Sequence, residues 1–208
     1  MKCKNCMGDK MKRVLTVILK ILNLPRIIIA YLLINLARVS SLVEGDMKRL
    51  NYRYDVAGDS FGGMLATCLS RDRIFQAVLE HRLTDSNKIF GYIFRIFFPT
   101  RRKDIEIWSK MGGIGEGLTI YHGYGTIINC LKAGKNLSVY QGVTIGKNGR
   151  GEDDLPIIGD NVTIYSNAVV VGNIHIGNNV KIGACTVVTK DVPENSIVYS
   201  SIPYIKSN

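Results

Sequence analysis

Aliphatic residues recur every six positions through the second half of the chain, at Ile158, Ile164, Val170, Ile176, Ile182 and Val188. The same step runs upstream through Ala133, Val139 and Ile145, and it begins at Ile114 and Ile120. Units such as IGDNVT, VVGNIH and IGNNVK join β-branched residues to Gly or Asn. Six residues make one short strand and one tight turn, and Gly or Asn at the turn accepts a left-handed backbone. Three units close a triangular coil, so each aliphatic stacks on its equivalent roughly 18 positions later. A β-sandwich would alternate with period two and hold no fixed six-residue phase. A parallel β-solenoid is therefore expected over residues 105–208. Residues 147–157, KNGRGEDDLPI, fall out of phase and predict a loop extruded from the coils.

The first half, residues 1–104, has a different texture and predicts an α-helical N-terminal region. Ile74, Val78 and Leu79, then Ile89, Ile93, Phe94 and Phe97, follow helical spacing. Pro99 and the basic run after it mark the boundary. Residues 14–39 are rich in apolar side chains, but Lys20, Asn23, Pro25 and Arg26 interrupt them. The uninterrupted stretch Ile27 to Ile34 is too short for a spanning helix. Two readings stay open: an interfacial helix pair broken at Pro25 that associates peripherally with a membrane, or a helical hairpin buried in an oligomer.

Charge sharpens this division. Residues 1–50 carry ten basic and three acidic side chains, whereas the remaining chain carries seventeen and fourteen. The body is nearly neutral, which excludes nucleic acid as a partner, because phosphate tracking needs a basic face on the folded domain. Cys3 and Cys6 form a lone C-x-x-C without the second pair that a zinc ribbon needs, so no metal is expected. Cys68, Cys130 and Cys185 fit small, semi-buried residues in a reducing compartment.

The segments GEGLTIYHGYGTII around His122, VYQGVTIGKN, LPIIGDNVTI and VVTKDVPENSIV resemble the left-handed parallel β-helix acyltransferases. The similarity is to the serine acetyltransferase-like branch, which includes enzymes acetylating sugars of capsules and exopolysaccharides. This resemblance implies a mainly β fold, a left-handed parallel β-helix, assembled as a homotrimer or dimer of trimers. It implies acetyl-CoA as co-substrate, held by backbone groups at Gly146, Ser166 and Ala184 and by Lys190, with Lys181 as a further phosphate contact. It also implies His122 as the catalytic base. An imidazole, with an ordinary pKa near 6.5, suits removal of a hydroxyl proton at neutral pH.

Some positions depart from the family pattern. Tyr121 stands where an acidic residue precedes the catalytic histidine, and Asp154 and Leu155 replace an Arg-His pair on the loop. Ile107 takes the place of the aspartate that orients the histidine, with Glu106 beside it. Tyr121 and Asp154 are therefore expected to meet a different acceptor. The expected function is an O-acetyltransferase acting on a hydroxyl of a sugar or surface-polysaccharide precursor. Serine O-acetylation and a non-catalytic scaffold are the alternatives. The expected location is the cytoplasm, with the inner membrane face as an option. His81 and His175 are expected to be catalytically silent.

Overall fold

A computed structural model describes residues 23–54, 60–99, 104–109, 113–149, 151 and 154–200. Cys3, Cys6 and the basic residues before position 22 lie outside the described residues, as does the first half of the 14–39 segment. The chain divides into two compact units. One comprises the chain up to Ser40 together with Leu50–Thr100, the other Ser41–Arg49 together with the chain from Arg101 onward.

The first unit is helical: α1 (Leu24–Leu36), α3 (Asn51–Tyr54), α4 (Phe61–Arg71), α5 (Arg73–Ser86) and α6 (Lys88–Phe97). Pro25 sits in the first turn of α1, where its missing N–H costs nothing. Asp72 caps α5 by accepting from the backbone N–H groups of Ile74 and Phe75. Asn87 caps α6 through Ile89 N–H. In α5, Phe75, Val78, Leu79 and Leu83 fill the core, close to the expected face. In α6 the expectation fails at Ile89, which is 64% exposed; Phe94 and Gly91 are the buried positions. The Gly91 backbone lies so near Thr84 that a Cβ would fall 2.0 Å from its Oγ1. Close approach, rather than apolar spacing, selects the face that α6 buries. Among the described residues no helix is long and apolar enough to cross a membrane.

The second unit is a left-handed parallel β-helix of about five coils. Among the described residues thirteen strands form three parallel sheets. The first sheet runs β1 (Ile105–Ser109), β3 (Thr126–Cys130), β6 (Thr144–Gly146), β9 (Val169–Val171) and β12 (Val187–Val188). The second runs β4 (Lys132–Ala133), β7 (Ile157–Ile158) and β10 (His175–Ile176). The third runs β2 (Thr119–Tyr121), β5 (Ser138–Tyr140), β8 (Thr163–Ile164), β11 (Lys181–Ile182) and β13 (Ile197–Val198).

Every aliphatic on the six-residue step is buried, none above 4% exposure. Ile164 pairs with Ile182, and Val170 with Val188. The interior is thus a stack of like side chains, each coil burying the one before it. The step slips in two places that the repeat did not predict. Ile120 is followed on the next inward column by Ile128, which lies across from Ile145, so the turn at 122–125 is longer than its hexapeptide allows. The last coil is short, because Val192 bridges to Ile176 and Val198 pairs with Ile182.

Helix α2 (Ser40–Arg49) lies almost wholly in this unit and closes its first coil. The buried Asp46 carboxylate accepts from the backbone N–H groups of Gly117 and Leu118, at 2.9 and 2.8 Å. Those amides have no preceding coil to bond, so the aspartate satisfies donors that burial would otherwise strand. Arg49 donates from Nη2 to Ser138 Oγ at 2.6 Å.

Candidate functional site

The three corners of the coil are built differently. Between the second and third sheets, Asn136, Asn161, Asn179 and Asn195 all hold φ between 57° and 59°. Their amides bond in file along the axis, Asn136 to Asn161 at 2.9 Å, Asn161 to Asn179 at 3.1 Å and Asn179 to Asn195 at 2.9 Å. Spacing along that file is 25, 18 and 16 residues, so the inserted loop and the shortened last coil are absorbed without loss of register.

The corner between the third and first sheets carries His122. The residue is exposed, with φ 65°, and Gly123 and Gly125 follow at 69° and 61°. Such a run of left-handed residues needs glycine neighbours. Gly123 N–H folds back to Tyr121 carbonyl at 2.8 Å, which tightens the turn under the imidazole. On later coils the same corner presents Gln141, then Ser166, then Ala184. Gly142 N–H bonds Tyr124 carbonyl, Asn167 N–H bonds Gln141 carbonyl, and Cys185 N–H bonds Ser166 carbonyl. The structure therefore brings His122, Ser166 and Ala184 onto one edge.

Gln141 was not singled out in the sequence. Its Oε1 is buried and accepts no hydrogen bond among the described residues. A buried amide oxygen without a donor costs about 1–3 kcal/mol, which marks it as an acceptor awaiting a donor. Its one advance signal is its place in VYQGVT, one coil after the histidine.

Tyr121 begins a column beside this edge. It stacks on Tyr140 with ring centroids 4.4 Å apart and 15° between planes, and Tyr140 meets Tyr165 at 5.0 Å. Burial, and then the neighbouring Tyr121 and Tyr165, raise the Tyr140 phenol above its usual range.

The third corner, between the first and second sheets, carries the extruded loop. Asp154 is buried there, and its carboxylate spans the loop base, accepting from Asn148 N–H at 3.0 Å and Asn173 N–H at 2.6 Å. Gly172 lies beneath with φ 106°, and a Cβ on it would fall 2.7 Å from Asn148 Nδ2. Leu155 is fully buried. Gly146 lies on this corner too, where Gly172 N–H bonds its carbonyl, so it does not share the edge of Ser166 and Ala184. Lys190 is exposed and borders a largely apolar cavity of about 320 Å³, lined by valines and Pro193 and also by Thr189, Asp191 and Ser196.

His175 is exposed on β10, on the second sheet, where its N–H bonds Asp191 Oδ1; His81 lies in α5 of the helical unit. Glu106 is exposed on β1, in register with Ile127. Cys68 and Cys130 are buried, but Cys185 is exposed at φ 56°, unlike the semi-buried position expected for it. Burial pushes the Cys130 thiol up to about 12, far from a nucleophile's range. Among the described residues no three His, Cys, Asp or Glu side chains converge as a metal site would require.

Residues 156–190 match the family described as bacterial transferase hexapeptide (six repeats). A Staphylococcus aureus serine acetyltransferase is 49% identical over 164 residues, which cover 75% of this chain and 73% of that protein. The crystal structure of Neisseria gonorrhoeae serine acetyltransferase in complex with serine is similar at 32% identity and a TM-score of 0.59, covering 84% of this chain and 72% of that one. That of Entamoeba histolytica serine acetyltransferase isoform 3 in complex with cysteine is similar at 27% identity and a TM-score of 0.56, covering 81% and 60%.

These relatives overturn the sugar or surface-polysaccharide acceptor expected from the sequence, and with it the polysaccharide branch. That expectation rested on Tyr121, Asp154 and Leu155 as lost contacts to serine. The structure gives all three other tasks: Tyr121 stacks in an aromatic column, Asp154 staples the loop base, and Leu155 is core. Residues chosen for packing say little about which hydroxyl is acetylated.

Proposed function

Because the chain belongs to the serine acetyltransferase family of hexapeptide-repeat transferases, we propose that it transfers the acetyl group of acetyl-CoA to the hydroxyl of serine. The similarity across three quarters of both chains carries this reading. The enzyme is an acyltransferase, and the thioester supplies the activated acyl carbon. The serine oxygen bonds to that carbon as the C–S bond breaks, and the hydroxyl proton ends on the CoA sulfur.

His122 is the group proposed to carry that proton, as general base and then general acid. It is exposed on its left-handed turn, and the glycines beside it leave room for two substrates. The buried Gln141 oxygen on the next coil is proposed to accept from a donor of the bound substrates. Ser166, half-buried, and Ala184, exposed, line the same edge, which suits contact with a pantetheine arm. Lys190 beside its largely apolar cavity suits a phosphate next to a base. Tyr121 and Asp154 act by position, the first as the base of the histidine strand and the second as the staple of the loop.

The histidine edge and the loop edge flank opposite sides of the first sheet. A strand such as Thr144–Gly146 separates them by about 10 Å. Across that sheet Ile127, Thr144, Val169 and Val187 form one outward row in register, with Ile127 and Val187 exposed. An apolar flat face between two functional edges favours a homotrimer, alone or paired as a dimer of trimers. Each loop would then complete a neighbour's histidine edge.

The test is thiol release from acetyl-CoA with serine as acceptor. Release should require serine, and a serine-independent or absent signal would overturn the reading. Mixing inactive His122→Asn subunits with subunits lacking residues 149–153 should restore part of the activity. No restoration would remove the shared site.

A further inference from the structure

Helix α1 is apolar on both sides. At about 100° per residue, Ile27, Ala30, Leu33 and Ile34 share one face, and all four are buried. The opposite face carries Leu24, Ile28, Tyr31, Leu32 and Leu36, between 44% and 67% exposed, with Asn35 as its polar interruption. A surface helix of a soluble protein is polar there; a helix apolar all round belongs to a buried setting.

Helix α6 of the same unit repeats the arrangement. Ile89, Tyr92 and Ile96 fall on one stripe, 61% to 66% exposed, with Lys88 along its flank and Arg95 there ion-paired to Glu80 of α5. The two helices pack together, and Arg26 of α1 donates from Nε to Phe97 carbonyl at the end of α6, at 2.6 Å. Both stripes thus belong to one compact body.

Charge decides what covers them. By sequence this unit holds fourteen basic and six acidic side chains, a net of +8. The β-helical unit holds thirteen and eleven, a net of +2. Residues 1–22 contain six of those cations and one aspartate, and the exposed stripe starts two residues further on, at Leu24. A second copy would set +8 against +8 around the apolar face. An anionic lipid surface would meet the same face with the opposite sign. Aliphatic residues with Tyr on one side and Lys and Arg at the margin are the composition of a helix lying in a bilayer interface.

We propose that the helical unit docks on anionic lipid through the exposed faces of α1 and α6, lying in the interface without spanning it. The experiment is flotation of the full-length protein with phosphatidylglycerol–phosphatidylcholine vesicles and with phosphatidylcholine vesicles. The protein should float with the anionic vesicles, at least tenfold better than with neutral ones, and release as salt is raised. Leu32→Glu and Ile96→Glu should each weaken binding roughly tenfold, from the lost apolar transfer and the added negative charge, with acetyl transfer unchanged. Leu32→Ser gives a milder variant, and circular dichroism confirms that each is folded. A Tyr92→Trp probe should shift its emission to shorter wavelength on the anionic vesicles.

Failure to float would overturn the proposal, as would unaltered binding by the glutamate variants. An unshifted Tyr92→Trp probe would do the same. Glutamate variants that instead lower the oligomer mass in light scattering without lipid would assign the face to a second copy.

Discussion

Two corners of the same solenoid solve one backbone problem in opposite ways. At the asparagine corner a single residue type repeats on four coils, and each amide finds its neighbour along the axis. At the histidine corner the residue changes at every coil, from His122 to Gln141, Ser166 and Ala184, and the buried Gln141 oxygen has no donor among the described residues. Both corners use positive φ, so the turn itself does not distinguish them. A corner that satisfies itself contributes stability and nothing else. A corner whose polar groups stay unsatisfied keeps hydrogen-bonding capacity for a ligand.

Substitutions should separate the two corners, beginning with the largest effect. His122→Asn keeps a residue at home with φ 65° but removes the base. It should lower kcat by about 10²–10⁴-fold with little change in melting temperature. A mutant retaining full activity would show that the histidine corner is not the catalytic one. Gly172→Ala tests the third corner, where a Cβ meets Asn148 across the stapled loop. Activity should fall by about tenfold or more, with a stability loss of about 1–3 kcal/mol from backbone strain, read by urea titration.

At the asparagine corner, Asn161→Ala removes both ladder bonds and puts a Cβ-bearing residue without a local hydrogen bond at φ 57°. The expected cost is about 1–3 kcal/mol with kcat unchanged. Asn161→Gly relieves the φ penalty and should recover about 1 kcal/mol of it. If both variants lost activity rather than stability, the distinction between the corners would collapse. Gln141→Leu should raise KM several-fold while leaving stability equal or slightly higher, because it deletes an unpaired buried oxygen.

The smallest effect concerns Cys130, at the end of β3. Its folded thiol is raised from 9.0 to about 12 by burial, so an unfolded chain releases that proton first. Stability should therefore fall as pH rises above 9.0 and toward about 12. Cys130→Ala should be less stable at neutral pH but show a flatter decline across that window, measured by denaturant midpoints. Iodoacetamide should label Cys185 well before Cys130.

The sequence made the β-helix legible because each coil tests the register again. Ile158, Ile164, Val170, Ile176, Ile182 and Val188 all point inward, so an error at one would have clashed with the next. The exceptions were not legible. The long turn between Ile120 and Ile128 depends on how His122, Gly123 and Gly125 fold, and hexapeptide spacing alone does not contain that. Asp154 is expected to meet the acceptor because it stands where the family pattern has an Arg-His pair, and in the structure it is buried and accepts from backbone amides. Gln141 stands out only because its buried oxygen has no partner among the described residues, which is a property of three-dimensional packing. In the helical half, periodicity located α5 and α6 but misplaced the buried side of α6, since the Gly91 contact with Thr84 outweighs the apolar stripe.

The stapled loop has a consequence for how such an enzyme changes over generations. Asp154 bonds the backbone amide of Asn148 before the insertion and that of Asn173 on the following coil, and the coil resumes with Ile157 and Ile158 paired to the neighbouring strands. The register that holds the solenoid together is thus kept by Asn148, Asp154 and the strands after them. The segment between Asn148 and Asp154 can drift in length and composition, or be exchanged as a cassette, while the scaffold keeps its melting temperature. Selection for a new acceptor can act on that segment at almost no folding penalty, and a library confined to residues 149–153 is where altered acceptor preference should first emerge.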